Sequence, residues 1–539
     1  MSKFLSSLIV GVGLSLNIFA NQEVATNEKK QKEIVLPKLN KQQMVEDFDF
    51  LIKTFKGSYP KFDIAKDIYG IDMIKILEKH KKRITGNETP SEFVKILTNA
   101  ISQCKADHFG FAPVKAYSVG PAKKHRPWFK NLVKEEDYDI TQAYIKLFRA
   151  QRKNEKKIHF PLYYKNKNLY LMFDIFHNGQ KLPADIKLIS CFGQPTLELL
   201  KKNQNKFHFY DSENKLFYCE NNFLGKIFDK NFNSSIITFE DKNGKKYNYD
   251  TTKRLVPPKS FLASIPFIGK VSRKGVKYIP KNKLLIVRIP AMTYGDIQFY
   301  EENIIKEAAN KKIDAIILDI RGNGGGGDDV WKSILKNIIE KPVKFKINFA
   351  YRKGGLVEIY LKDRFGEDWK TKHKLMKVPY LKNVEYWIND KDITIKPSEK
   401  SLNFTGPIFI FCQDNYSSAS SLAIHAKANP RFTTIGPKNN IDVGAGINPM
   451  IFSLPNSRMM LTFGCDTDLS YCNNVEDTMH LNTNIELERF HYQLNYLKAL
   501  NKAPKDLNNE QKLDWLYNQF GEIDPHYKKA LELMKTSKK

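Results

Sequence analysis

The stretch 406–436, GPIFIFCQDNYSSASSLAIHAKANPRFTTIG, constrains this chain more than any other. Its apolar, β-prone run from Gly406 to Cys412 predicts a buried strand. The polar turn Gln413–Tyr416 follows, then Ser417-Ser418-Ala419-Ser420-Ser421, then helix-forming residues from Leu422 to Ala428. Asn429-Pro430 breaks that helix, and a short strand, Phe432 to Ile435, ends at Gly436. A serine at a strand-to-helix turn exposes its hydroxyl. The first amides of the helix lack intrahelical partners and suit a developing negative charge. Serine is also a preferred helix cap, so this segment alone leaves a structural and a catalytic reading open.

The rest of the chain, 539 residues in all, is too long for one ordinary core. Lys3 followed by the uncharged apolar stretch Phe4–Ala20 reads as a secretory signal, so residues 1–20 are expected to be removed on export. An uncleaved anchor is the alternative. Residues 21–40 are polar and Lys-rich and are expected to be a flexible lead-in. Met44, Phe48, Leu51 and Phe55, then Ile71–Leu77, then Phe93–Ile101, follow a helical period, and 41–155 is expected to be a helical domain. Residues 156–260 change to short strands: Leu169–Phe173, Asp185–Ile189, Lys215–Tyr218 and Ile236–Phe239, with a hairpin turn at Asp241–Gly244. Pro257-Pro258 reads as a linker. Residues 261–486 read as an α/β domain, and 487–539 as amphipathic helices.

The formal net charge is +28, carried mostly by lysines dispersed along the chain. That pattern fits a solvated basic surface. For an exported protein its natural partner is an anionic cell-envelope surface, and no nucleic-acid motif is present. Six cysteines occur without a CxxC pair. An oxidising compartment would permit Cys465–Cys472 and, less directly, Cys191–Cys219 disulfides, whereas Cys412 in its apolar strand reads as a buried thiol. No metal-ligand spacing and no cofactor motif is found.

The apolar strand Ala315–Ile320 runs into Arg321-Gly322-Asn323-Gly324-Gly325-Gly326-Gly327 and then a helix, Val330–Ile339. Strand, glycine loop and helix form a phosphate-site grammar. The Lys-Ser/Thr of a P-loop is absent, and the G-x-G-x-x-G match is trivial in a run of glycines. Close approach of backbone amides to a substrate, as in an oxyanion hole, is the better functional reading, and a tight turn the structural one.

Three segments together resemble the crotonase-like serine peptidases that include the tail-specific (C-terminal processing) proteases and the tricorn core. Leu318–Gly326 is similar to the family's Asp-Leu-Arg-Gly-Asn-Gly-Gly-Gly loop. Ser417-Ser418-Ala419 is similar to its nucleophile turn, and Ala106-Asp107-His108 to the Asp-x-His that ends its N-terminal helical region. Leu182–Leu199 resembles a degenerate PDZ repeat. The resemblance implies a crotonase-like (ClpP-type) α/β catalytic domain with an N-terminal helical domain and a small β-rich PDZ-like domain.

Tail-specific proteases pair the serine with a lysine in a Gly-Lys-Gly context. The corresponding Ile441–Gly446 has none, and neither Lys427 nor Lys438 fits. The tricorn-like branch uses serine, histidine and glutamate. The resemblance then implies Ser418 as nucleophile, His108 as base and Glu476 as the orienting carboxylate. The amide of Ala419 with that of Gly324 or Gly325 would form the oxyanion hole. Ser417 and Ser420 compete with Ser418, and Asp477 with Glu476. His425 is a rival base that helix geometry is expected to point away from the turn. The implied protein is an exported serine endopeptidase acting on proteins or peptides, periplasmic or secreted. The alternative is a non-catalytic envelope ligand- or peptide-binding protein on the same fold.

Overall fold

A six-stranded sheet organises the second half of the chain. Its strands are β1 (Gly275–Ile279), β2 (Leu284–Arg288), β3 (Ala315–Asp319), β4 (Ile408–Phe411), β5 (Phe432–Gly436) and β6 (Ile485–Glu486), and they lie side by side in that order. β1 is antiparallel to β2, and every later pair is parallel. The computed structural model describes residues 34–112, 127–153, 160–211, 213–220, 222–228, 234–253, 272–381, 384–437, 449–479 and 483–536. The signal, most of the lead-in, the Pro257-Pro258 linker, Lys438 and Ile441–Gly446 lie outside these residues.

Every residue of β2, β3 and β4 is buried, as expected of parallel strands covered on both faces. Alternate side chains serve two cores. Leu285, Val287, Ile316, Leu318, Ile408 and Ile410 pack with the helices α1 (Ile297–Ala308), α2 (Asp328–Lys336) and α3 (Ser418–Lys427). Leu284, Ile286, Ile317, Phe409 and Phe411 face the other way. They share a core with the β-rich residues 160–249 and with the C-terminal helices Tyr492–Leu500, Asn509–Ile523 and Pro525–Thr536. The C-terminal helices thus cover the second face of the sheet.

The β-rich region forms its own sheet, in the order Lys246–Asp250, Ile236–Glu240, Lys187–Cys191, Asn168–Leu171, Leu162–Lys165. The expected turn at Asp241–Gly244 closes with a Gly244 N–H to Asp241 carbonyl bond of 3.0 Å.

The N-terminal helices are Lys41–Ser58, Phe62–Tyr69, Met73–Lys81, Pro90–Cys104 and Glu135–Lys153. Capping boxes start two of them, Asn40 with Gln43 and Thr89 with Glu92. Within the α/β region lies a long antiparallel pair, Val343–Arg352 with Glu385–Ile395. Lys374–Lys377 and Asp466–Asp468 flank it. Ile347, Phe349 and Tyr351 of this sheet share a core with the N-terminal helices and with Met450–Phe452 and Met459–Phe463. Gly110–Phe111, just after His108, pairs antiparallel with Met460–Phe463. The first part of the chain is therefore stitched into the last.

All six cysteines are free, so the two expected disulfides are corrected. Cys465 is buried in the core beneath the N-terminal helices, while Cys472 packs with Val378, Leu381 and Met479. Strand Asp466–Asp468 separates them. Cys191 contacts the Thr196 hydroxyl instead of Cys219. Among the described residues no helix is long and apolar enough to cross a membrane.

Candidate active site

Ser418 opens α3, which begins earlier than its apolar residues alone predicted. The preceding residue, Ser417, turns the chain at φ 50° and ψ −127°, a conformation L-residues avoid. The glycine loop supports this turn from below. The Gly322 N–H donates to the Gln413 carbonyl at 2.7 Å, and the Tyr416 N–H to the Asn323 carbonyl at 3.1 Å. The Asn323 side chain, fully buried, donates to the Ile289 carbonyl at 2.8 Å, and the Asn415 amide donates to the Ile320 carbonyl. A β-carbon on Gly325 would lie 2.6 Å from Ser417 Cβ and 2.7 Å from the Tyr416 carbonyl, and φ there is +93°. Only glycine fits.

The hydroxyl of Ser418 donates to Asp328 Oδ1 at 2.7 Å. Asp328 stands in the first turn of α2, directly after the glycine loop, and the same oxygen accepts the Trp331 indole N–H at 3.1 Å. Sequence reasoning missed Asp328. Acids are common in first helical turns because they complement the helix dipole, so nothing marked this one as the serine's partner.

The three expected oxyanion donors differ. The Ala419 N–H donates to the Tyr416 carbonyl at 3.1 Å, and the Gly325 N–H to Asn323 Oδ1 at 2.8 Å. The Gly324 amide has no acceptor among the described residues. Gly324 is thus the donor already available, and the other two must exchange partners to serve.

His108 is exposed, at φ 52°, on the turn between helix Pro90–Cys104 and strand Gly110–Phe111. Although the side chain reaches solvent, the protein packed around it lowers its pKa; Asp107 opposes this and Lys61 adds to it. Asp107 anchors the turn. Its carboxylate accepts the Tyr59 hydroxyl at 2.5 Å and the Lys61 ammonium at 3.3 Å, and its carbonyl accepts the Gly464 N–H at 3.0 Å. The next strand carries Asp466 and Asp468. Burial, opposed by Arg364 and aided by Asp107 and Asp468, pushes the Asp466 carboxyl up to about 7.

Glu476 lies exposed in the short 3₁₀ turn Glu476–Thr478, and Asp477 accepts the Asn473 N–H at 2.8 Å. Among the described residues no hydrogen bond or ion pair joins Ser418, His108 and Glu476 to one another. Ser420, the competing nucleophile, is buried and its hydroxyl has no partner there.

The expectation for His425 is corrected. Seven residues span close to two helical turns, which returns His425 to the face of Ser418. Its ring is buried against Trp331, Phe345 and Tyr471, and it feels the charge of Asp328. Among the described residues no group of three or more His, Cys, Asp or Glu could hold a metal ion.

Residues 283–466, which hold the glycine loop and Ser418, match the model of Peptidase family S41. Among solved structures the chain is similar to mature CPAF complexed with lactacystin. That pair shares 12% identity over 92% of this chain and 99% of the other, with a TM-score of 0.52, which shows a common fold. Mature CPAF alone aligns at 13% identity over 90% and 99%, with a TM-score of 0.49. The photosystem II D1 C-terminal processing protease aligns at 10% over 82% and 93%, with a TM-score of 0.36. No curated protein matches.

Proposed function

We propose that this chain is an exported serine endopeptidase that cleaves protein or peptide bonds through an acyl-enzyme on Ser418. The observation that carries the reading is the contact between the serine turn and the glycine loop. Gly325 admits no side chain against Ser417, and both segments lie within the S41 peptidase domain. A hydroxyl at a helix start, with loop amides beside it, suits attack on a carbonyl and stabilisation of the resulting oxyanion.

In this reading His108 removes the Ser418 proton and later delivers it to the leaving amine, with Glu476 orienting the imidazole. The lowered His108 pKa favours the neutral base. Substrate binding releases the Ser418 hydroxyl from Asp328, and the amides of Gly324 and Ala419, or Gly325, receive the oxyanion. The β-rich region serves as a PDZ-like module that presents an extended peptide at a sheet edge. Residues 1–20 direct export.

The competing reading, a binding protein without catalysis, draws on the exposed Glu476 and the internally engaged Ala419 amide. Incubation of the purified protein with an unfolded protein substrate, followed by mass spectrometry of new termini, separates the two. Cleavage that disappears in Ser418→Ala supports the peptidase. Identical intact substrate with both proteins supports the binding module.

A further inference from the structure

Arg489 follows β6 and reaches back to the turn that presents Ser418. Its Nη1 donates to Asp414 Oδ1, and its Nη2 stands 3.6 Å from Glu220 Oε2 in the β-rich region. Glu220 is buried, and its other oxygen accepts the Tyr164 N–H at 3.1 Å. The guanidinium carbon also lies 5.0 Å from the centre of the Phe209 ring. Arg489 is 18% and Asp414 23% exposed at the side chain, so water screens the pair little. The neighbouring residue makes a second clasp on the same turn. The Phe490 N–H donates to Gln413 Oε1 at 2.9 Å, and the Gln413 side-chain amide donates to the Phe490 carbonyl at 3.0 Å.

The turn needs such support. Between β4 and α3, Asp414 stands at φ 51° and Ser417 at φ 50°, in the region that L-residues seldom occupy. Strain of this kind persists only where the surroundings over-determine it. The glycine loop supports the Ser417 end of the turn, and Arg489 supports the Asp414 end. A bond to Glu220 alone would fasten the β-rich region to the chain. The bond to Asp414 brings the same fixed cation to the base of the nucleophile turn.

We propose that Arg489 is a positioning residue for the nucleophile. Its bond to Asp414 holds the left-handed backbone there and so fixes where the chain delivers the Ser418 hydroxyl, while Glu220 and Phe209 orient the guanidinium for that bond. The inference rests on the peptidase reading of Ser418.

The test is the rate constant with which a fluorophosphonate modifies Ser418 in the full-length protein. Arg489→Met keeps an extended stem and removes the guanidinium fork. It is expected to label about tenfold more slowly, within the scale by which misplacing a reacting group slows attack. A merely structural loss would instead lower the final fraction labelled and leave the rate constant of the folded fraction unchanged. Asp414→Ala removes the acceptor and should show the same loss. Asp414→Asn keeps an acceptor and tolerates a positive φ, so it should recover most of the rate. Arg489→Met should add nothing in the Asp414→Ala background, where the bond is already gone. If Arg489→Met does not fold, the comparison of Asp414→Ala with Asp414→Asn carries the test. A parental rate constant in Arg489→Met, an equal loss in Asp414→Ala and Asp414→Asn, or an undiminished effect in the Asp414→Ala background would overturn the inference. If the parent itself takes no label, the peptidase reading fails and this inference falls with it. If the parent is labelled and the variants match it, the peptidase reading survives alone.

Discussion

Arg321 and Asp524, 203 residues apart in the chain, meet at 2.8 Å where water does not reach. Arg321 also donates to both oxygens of Asp319, and the Tyr496 hydroxyl donates to Asp524 at 2.6 Å. The pair clasps the C-terminal helices to the end of β3, where the glycine loop begins. Breaking a buried pair from one side leaves the other charge unpaired, at a cost of about 3–5 kcal/mol. Asp524→Asn is expected to lower the melting temperature by about 3–5 °C. Burial raises the Asp524 pKa, but Arg321, His526 and Tyr496 together hold it well below the usual carboxylate range. Its contribution is therefore complete above about pH 4 and is lost as the pH falls towards the depressed folded value. Thermal melts from pH 6 down to pH 2 should show that loss in the parent and a smaller one in the variant.

Gly325→Ala tests the contact between the loop and the serine turn. The added methyl would push against the Ser417 β-carbon and the Tyr416 carbonyl at a positive φ. Displacement of the turn is expected to reduce peptide hydrolysis by about 10²-fold, the scale of losing one oxyanion donor. Steady-state kinetics should place the loss in kcat, with circular dichroism showing retained helix content.

The pH dependence of kcat/KM reports the free enzyme's base. Because the protein packed around His108 and the Lys61 cation lower its pKa, activity is expected to rise with pH through a midpoint below the ordinary histidine value. Lys61→Met removes a nearby cation and frees Asp107 to act on the imidazole, and both effects move that midpoint upward. An unchanged midpoint would dissociate His108 from the observed limb.

Asp466 should respond in the opposite sense to Asp524. An acid whose folded pKa is raised to about 7 does not oppose folding below its unfolded value near 3.9. It opposes folding increasingly as the pH climbs from about 4 to about 7, and the penalty levels off above that. Asp466→Asn is expected to raise the melting temperature by on the order of 5 °C at pH 8 and to leave it nearly unchanged at pH 4. Differential scanning calorimetry at the two pH values measures this directly.

Local pattern made part of this molecule readable before its structure. The apolar runs at β2, β3 and β4 and the helical period of Met44, Phe48, Leu51 and Phe55 correspond to observed elements. The glycine loop and serine turn were recognisable as motifs, and the structure places them in contact. Other features depend on partners distant in sequence. Asp328 reads as an ordinary first-turn acid until α2 and α3 are packed side by side. Spacing permits a Cys465–Cys472 bridge, but the strand between the two sends them into different cores. The place of His425 depends on where its helix begins: starting at Ser418 rather than Leu422, α3 sets His425 and Ser418 close to two turns apart.

The central claim is that Ser418 is a reactive nucleophile, and mapping the adduct of a fluorophosphonate by mass spectrometry tests it most directly. The account predicts one added phosphonyl group, located on Ser418 and not on Ser417 or Ser420, with no adduct in Ser418→Ala. An unmodified Ser418 in folded protein, or an adduct that survives Ser418→Ala, would contradict it.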